Sequence, residues 1–225
     1  MVFKNPTSTP VVSRMLEGQV GFLDISSLAD GSAEQAKIKL KNLISKGAAK
    51  LILDLRDCAD GSPSEGADLA NLFLKSGTIY YSQNRQGEKV EVVEAVPSKH
   101  VTDLPLVVLI DGSTAAAAEI AAGALKDSKR ATVVGEKSFG VGSAQKTIPM
   151  KSGALLILSI AKYYTPSGKV IQDDESATKT GISPDVEAPN DDQRQVLAVE
   201  SYYGDRDTVE SEAAKDDRND PVRYR

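Results

Sequence analysis

The residues best placed for chemistry gather around one corner. In LIDGSTAAAAEIAAGAL (Leu109–Leu125) an apolar run ending at Ile110 reads as a strand. A turn follows, and a helix opens on four alanines, Ala115 to Ala118, before Glu119. A strand-to-helix corner of this kind can present a nucleophile at a helix N-terminus, yet here it presents methyl groups. Hydroxyls lie nearby: Ser113 and Thr114 before the helix, Ser138 and Ser143 flanking the glycine loop SFGVGS, with the amines Lys137 and Lys162 beyond. A shift of two or three residues around a corner re-aims a side chain by several ångströms, whereas catalysis needs reacting atoms about 3 Å apart. Ser113 or Thr114 is therefore read as a helix N-cap, with a relocated nucleophile at either position as the alternative. The lone Cys58, in RDCADG beside a core strand, is read as packing. The lone His100, in PSKHVTD, is read as a solvated loop residue.

Composition narrows the classes. The 225 residues carry a net charge of −5, and no basic stripe interleaves with aromatics, so no nucleic acid is expected as partner. One cysteine excludes an intrachain disulfide, and one histidine argues against a His-based zinc centre. The acidic pairs Asp173–Asp174 and Asp191–Asp192 lack metal-site spacing, so neither metal nor cofactor is expected. No apolar run approaches the roughly 20 residues that span a bilayer, and no targeting signal opens the chain. A soluble chain without membrane insertion is the expectation.

The elements that must hold this corner alternate between strand and helix, which predicts an α/β (α+β) domain with a mainly parallel sheet and hairpins. Residues 1–18 carry two prolines and little periodicity and read as a leading segment; 19–200 read as the core domain, and 201–225 as a charged, disordered tail. QVGFLDISS reads as a strand. The next segment has helical spacing at Ala36, Leu40, Leu43 and Ile44, with Ser32 as N-cap and Gly47 as stop. KLILDL (50–55) and LPLVVLI (104–110) read as buried parallel strands, the first apolar on both faces. A second helix is expected over 64–75 and the alanine-rich helix to about Lys126. ATVVG (131–135) returns to the sheet. Hairpins are expected to turn at Asn84–Gly87 and Lys151–Gly153, and YYTPSGK to form a tight turn.

Four blocks in this order, LILDLRDCADG, STAAAAEIAAGALKDSKRATVVGEKSFGVGSAQ, AKYYTPSGKVIQ and GISPDVE, resemble the C-terminal processing peptidases, or tail-specific proteases. The resemblance covers about residues 11–200 and implies a crotonase-like fold with serine peptidase chemistry. In that family the corner reads roughly Gly-Ser-Ala-Ser-Ala-Ser-Glu and its middle serine is the nucleophile. A lysine in a Phe-Gly-Lys-Gly loop is the base, and a glutamine four residues later orients it. Aligned on Glu119 and on SFGVGSAQ, the nucleophile position is Ala116, the lysine position Val141 and the orienting residue Gln145. The resemblance also implies oxyanion donors from the backbone at Gly61 and Ala117. Asp60, in the loop that should supply one of them, is expected to bring a carboxylate towards that pocket, against its electrostatic purpose.

An alanine methyl cannot form an acyl-enzyme and valine cannot take a proton. A single engineered serine replacement would explain Ala116 but neither Val141 nor the altered RDCADG loop, so the departures point to a lineage that lost catalysis. Two readings follow: a C-terminal processing serine peptidase, which requires a relocated nucleophile or a parent form with serine in place of Ala116 and lysine in place of Val141, or a catalytically inactive module that binds an extended polypeptide or protein C-terminus, or scaffolds an assembly. A homo-oligomer is compatible with either. The resemblance implies a periplasmic or cell-envelope location, and a peptide-binding PDZ domain ahead of this core, which is expected to be missing or to lie outside this sequence.

Overall fold

The computed structural model describes residues 10–151, 153–172 and 181–188. In chain order the elements are β1 (Val11–Leu16), β2 (Val20–Ile25), α1 (Ser32–Ser45), β3 (Lys50–Asp54), α2 (Pro63–Asn71), β4 (Thr78–Gln83), β5 (Lys89–Glu94), β6 (Leu106–Ile110), α3 (Ala117–Asp127), β7 (Thr132–Gly135), β8 (Ser143–Pro149), β9 (Leu155–Tyr164) and β10 (Val186–Glu187). A six-stranded sheet runs β1-β2-β3-β6-β7-β10, parallel except where β1 doubles back on β2. A four-stranded antiparallel sheet runs β5-β4-β9-β8. This is the α/β architecture expected of the crotonase-like fold.

Period-two alternation decides which face of the large sheet is buried. Leu23, Leu53, Val108 and Val133 stand in register and enter one core with Leu40 of α1, Leu69 of α2 and Ala121 of α3. The residues between them, Ile52, Val107 and Leu109, are half-buried. KLILDL is thus covered fully on one face, not on both. The leading segment of the sequence reading contains a strand: β1 turns into β2 through Gly18 and Gln19, with φ of 72° and 60°.

Helix boundaries follow their caps. Ser32 does not cap α1; Gly31 stands there, and the Glu65 carboxylate of α2 accepts from the Gly31 and Ala33 amides at 2.8 and 2.9 Å. The Ser32 hydroxyl is left buried without a partner. Gly47, at φ 90°, stops the helix as expected. Helix α2 begins on Pro63 behind the N-cap Ser62. It ends at Asn71, short of residue 75, where the Asn71 amide bonds the Leu74 and Val96 carbonyls and draws the chain into a turn. At Gly66 a Cβ would fall 2.2 Å from the Ala117 carbonyl oxygen, so α2 and α3 touch backbone to backbone.

Both hairpins turn where expected, the first closed by Gly87 N–H donating to Asn84 O at 3.0 Å. Residues 173–180 and 189–225, including both acidic pairs and the charged tail, lie outside the described residues. Among the described residues no helix is long and apolar enough to cross a membrane.

Candidate active-site cleft

The corner after β6 is built by Asp111. Its Oδ1 accepts from the Ser113 and Thr114 amides at 3.0 and 2.9 Å, the Asx turn that an Asp-Gly-Ser-Thr run favours. The Thr114 hydroxyl accepts from Asp111 N–H at 3.0 Å and donates to the Leu55 carbonyl at 2.9 Å. The Ala115 amide then bonds Cys58 O at 2.9 Å, and Thr114 O accepts from Phe139 N–H at 2.9 Å, which joins the corner to the loops on either side. Neither Ser113 nor Thr114 caps α3. Both are buried in this turn, and the N-cap is Ala116, at φ 52° and ψ −117°. That is a strained conformation for a residue with a Cβ, of the kind that concentrates at functional sites. Helix α3 begins immediately after it.

Glu119 holds this strained turn against the glycine loop. Its carboxylate is wholly buried and takes four donors. Oε2 accepts from the amides of Ala116 at 3.1 Å and Val141 at 2.8 Å. Oε1 accepts from the Gly140 amide at 2.8 Å and the Ser138 hydroxyl, which in turn accepts from Ile182 N–H at 2.7 Å. Burial pushes the Glu119 carboxyl up to about 7, and the four hydrogen bonds pull against that rise. As third residue of the helix, Glu119 reaches back to the N-cap amide as a capping glutamate does; the reciprocal bond is missing because the Ala116 methyl accepts nothing.

The result is a cleft of about 260 Å³ walled by α3, the loop after β3 and the start of β8. Ala116, Ala117, Val141, Gln145 and Gly61, the five positions aligned from the sequence, all line it, together with Ile120 and Tyr163. Gly61 sits at φ 102°, where a Cβ would lie 2.2 Å from Leu28 O, so only glycine fits the approach of this loop. Asp60 does not face the cleft: its carboxylate accepts from the Ser27 hydroxyl at 2.6 Å and the Leu28 amide at 2.9 Å. Through these bonds Asp60 ties its loop to the chain just after β2. Cys58 is fully buried, and burial raises its thiol to about 12, in keeping with packing. His100 is not solvated; its side chain is 11% exposed, with Nε2 3.2 Å from Asp103 Oδ1.

The arrangement fixes what chemistry is available. The Ala117 amide lies in the first turn of α3, where N–H groups lack intrahelical acceptors and suit a carbonyl or carboxylate oxygen. Ile120 and Val141 offer apolar contact. β8 runs out of the cleft as the end strand of its sheet among the described residues, an edge that can pair with an extended chain. At Ala116 and Val141 there is no hydroxyl and no amine. Glu119 serves as a landmark in the sequence and Asp111 is not singled out there; the third helical position of the one and the place of the other at the head of DGST are the local signals that mark them.

Comparison with known proteins places this geometry. The model of peptidase family S41 matches residues 19–188. A carboxyl-terminal-processing protease of Synechocystis sp. is 40% identical over 172 residues, which cover 76% of this chain and 38% of that protein. One from Bartonella bacilliformis is 35% identical over 179 residues, 78% of this chain and 40% of that protein. The solved photosystem II D1 C-terminal processing protease superposes with a TM-score of 0.73 at 29% identity, covering 83% of this chain and 50% of that one. The chain spans about two fifths of the length of these curated relatives.

Proposed function

The chain belongs to peptidase family S41, in the company of the C-terminal processing peptidases, and from that premise we propose that it is a peptidase core whose nucleophile and base positions are occupied by Ala116 and Val141. In this reading it binds an extended polypeptide or protein C-terminus without cleaving it. The observation that carries the reading is the cleft in which both positions meet Gln145, Gly61 and Ala117. The Gly61 and Ala117 amides receive a carbonyl or terminal carboxylate, β8 pairs with the bound chain, and Gln145 has no lysine to orient. Acyl transfer needs a hydroxyl and a neutral amine as a unit, and loss of one such member costs on the order of a million-fold in kcat.

The alternative, an active enzyme with Ser113 or Thr114 as nucleophile, has less support. Both are buried outside the cleft, and the Thr114 hydroxyl is already bonded on both sides. A periplasmic or cell-envelope setting and assembly into a homo-oligomer belong to the same proposal. Binding of labelled casein to the unmodified chain tests it. Ala144 also lines the cleft, so Ala144→Trp should fill it and abolish that binding; binding unaffected by the tryptophan would place the polypeptide elsewhere.

A further inference from the structure

The central strands of the large sheet each bury one face in the core. The β8–β9 hairpin, beyond its base, buries neither. β9 pairs with β4 only from Lys162 to Tyr164, so among the described residues the outer hairpin runs on with β8 and β9 alone side by side. Every described residue from Gln145 to Ile160 is exposed. Cross-strand partners share a face: Thr147–Ile157 and Pro149–Leu155 stand on one, Lys146–Leu158 and Ile148–Leu156 on the other. Leu155 and Ile157 are 65 and 58% exposed on the first face, and Leu156 and Leu158 are 40 and 43% exposed on the second. Contiguous exposed apolar surface of this kind marks a docking surface.

Charge narrows the occupant. From Ser143 to Ser159 the sequence carries Lys146 and Lys151 and no aspartate or glutamate, in a chain whose net charge is −5. Both lysines are exposed, Lys151 in the turn itself. A folded protein lays one surface against a ribbon and leaves the other face in water. A lipid surface closes around a projecting hairpin and covers both faces at once. Its acyl boundary takes leucine and isoleucine side chains, and anionic headgroups take lysines, whose apolar stems let the amines stay at headgroup level. Two apolar faces with one sign of charge therefore select an anionic lipid surface over a protein.

We propose that the outer half of the β8–β9 hairpin docks on an anionic lipid surface, with Ile148, Leu155, Leu156 and Ile157 below the headgroups and Lys146 and Lys151 among them. The free edges of the two strands limit the depth, because unpaired N–H and C=O groups do not enter hydrocarbon. The hairpin lies on the bilayer and does not span it, so the lack of a spanning apolar run has no bearing on this mode of attachment. Docking does not depend on the peptide-binding reading, yet it positions the cleft. Gln145 lines the cleft, and the extended chain from there to Met150 at the turn measures about 17 Å. A polypeptide held in the cleft would thus sit close to the lipid.

The test is flotation of the chain with vesicles of phosphatidylcholine alone or with about 30% phosphatidylglycerol. The unmodified chain should float with the anionic vesicles and be released as salt rises from about 0.05 to 0.5 M. Lys146→Gln with Lys151→Gln should lower that affinity about tenfold or more. Leu155→Asp with Ile157→Asp should abolish flotation. If that paired variant does not fold by circular dichroism, Leu155→Ser with Ile157→Ser serves instead. Leu155→Cys carrying an environment-sensitive dye reads insertion directly, since Cys58 is buried, and its emission should shift to the blue on anionic vesicles. No flotation, flotation unchanged in the Leu155, Ile157 variants, or flotation without a blue shift overturns the inference. So does an effect of those variants confined to self-association or to casein binding, which would assign the hairpin to a second copy or to a polypeptide.

Discussion

The Val141 amide donates to the Glu119 carboxylate at 2.8 Å, and the same oxygen accepts from the Ala116 amide at 3.1 Å, so one buried side chain ties Ala116 to Val141 across the cleft. The folded-state pKa of Glu119 is raised from 4.5 to about 7. Between those values the folded chain binds more protons than the unfolded chain, so stability falls as pH rises through the window. A shift of that size is worth on the order of 3 kcal/mol. Urea denaturation of the unmodified chain and of Glu119→Gln at pH 5 and pH 8 checks this. The stability of the unmodified chain relative to the variant should decline as pH rises; a pH-independent difference between them would contradict the assignment.

What the sequence made legible was order and period. The alternation of β3, α2, β6, α3 and β7 and the stop at Gly47 were readable because burial and backbone freedom leave local marks. Alignment on Glu119 and the SFGVGSAQ loop selects Ala116, Val141 and Gln145, the family resemblance adds Gly61 and Ala117, and all five line one cleft. What stayed hidden was long-range pairing. Ser32 has the composition of a cap, but Glu65, 32 residues from Ala33, has the geometry. Asp60 has the charge to spoil an oxyanion pocket, but Ser27 and Leu28 hold it elsewhere. Propensity carries no information about which distant amide a carboxylate will find.

Helix α1 should therefore depend on Glu65 and not on Ser32. Glu65→Ala removes acceptors for two N-terminal amides and is expected to cost about 1–2 kcal/mol by urea denaturation. Ser32→Ala removes a buried hydroxyl without a partner and should be neutral or stabilising. The reverse ranking would contradict the capping described for α1.

The contact of α2 with α3 leaves no room at Gly66. Gly66→Ala puts a methyl 2.2 Å from Ala117 O and must push the helices apart. The expected loss is about 3 kcal/mol or more, at the upper end of overpacking, with weakened casein binding because Ala117 lines the cleft. A variant with unaltered melting temperature would show that the helices are not in this contact.

Cys58 should be inert while the chain is folded. Full burial and a thiol raised to about 12 leave almost no accessible thiolate at pH 8. Reaction with a thiol-specific dye in native buffer should be slower than in denaturant by about 100-fold or more. Equal rates would mean that the β3 loop opens readily.

The central claim is that the peptidase cleft is intact and lacks only its reagents. Degradation of casein by the unmodified chain and by the Ala116→Ser, Val141→Lys double variant tests it most directly. The unmodified chain should not cleave casein, whereas the double variant should, and Gln145→Ala in that variant should abolish the cleavage again. Cleavage by the unmodified chain that disappears with Ser113→Ala or Thr114→Ala would contradict it and place the nucleophile in the turn instead of the cleft.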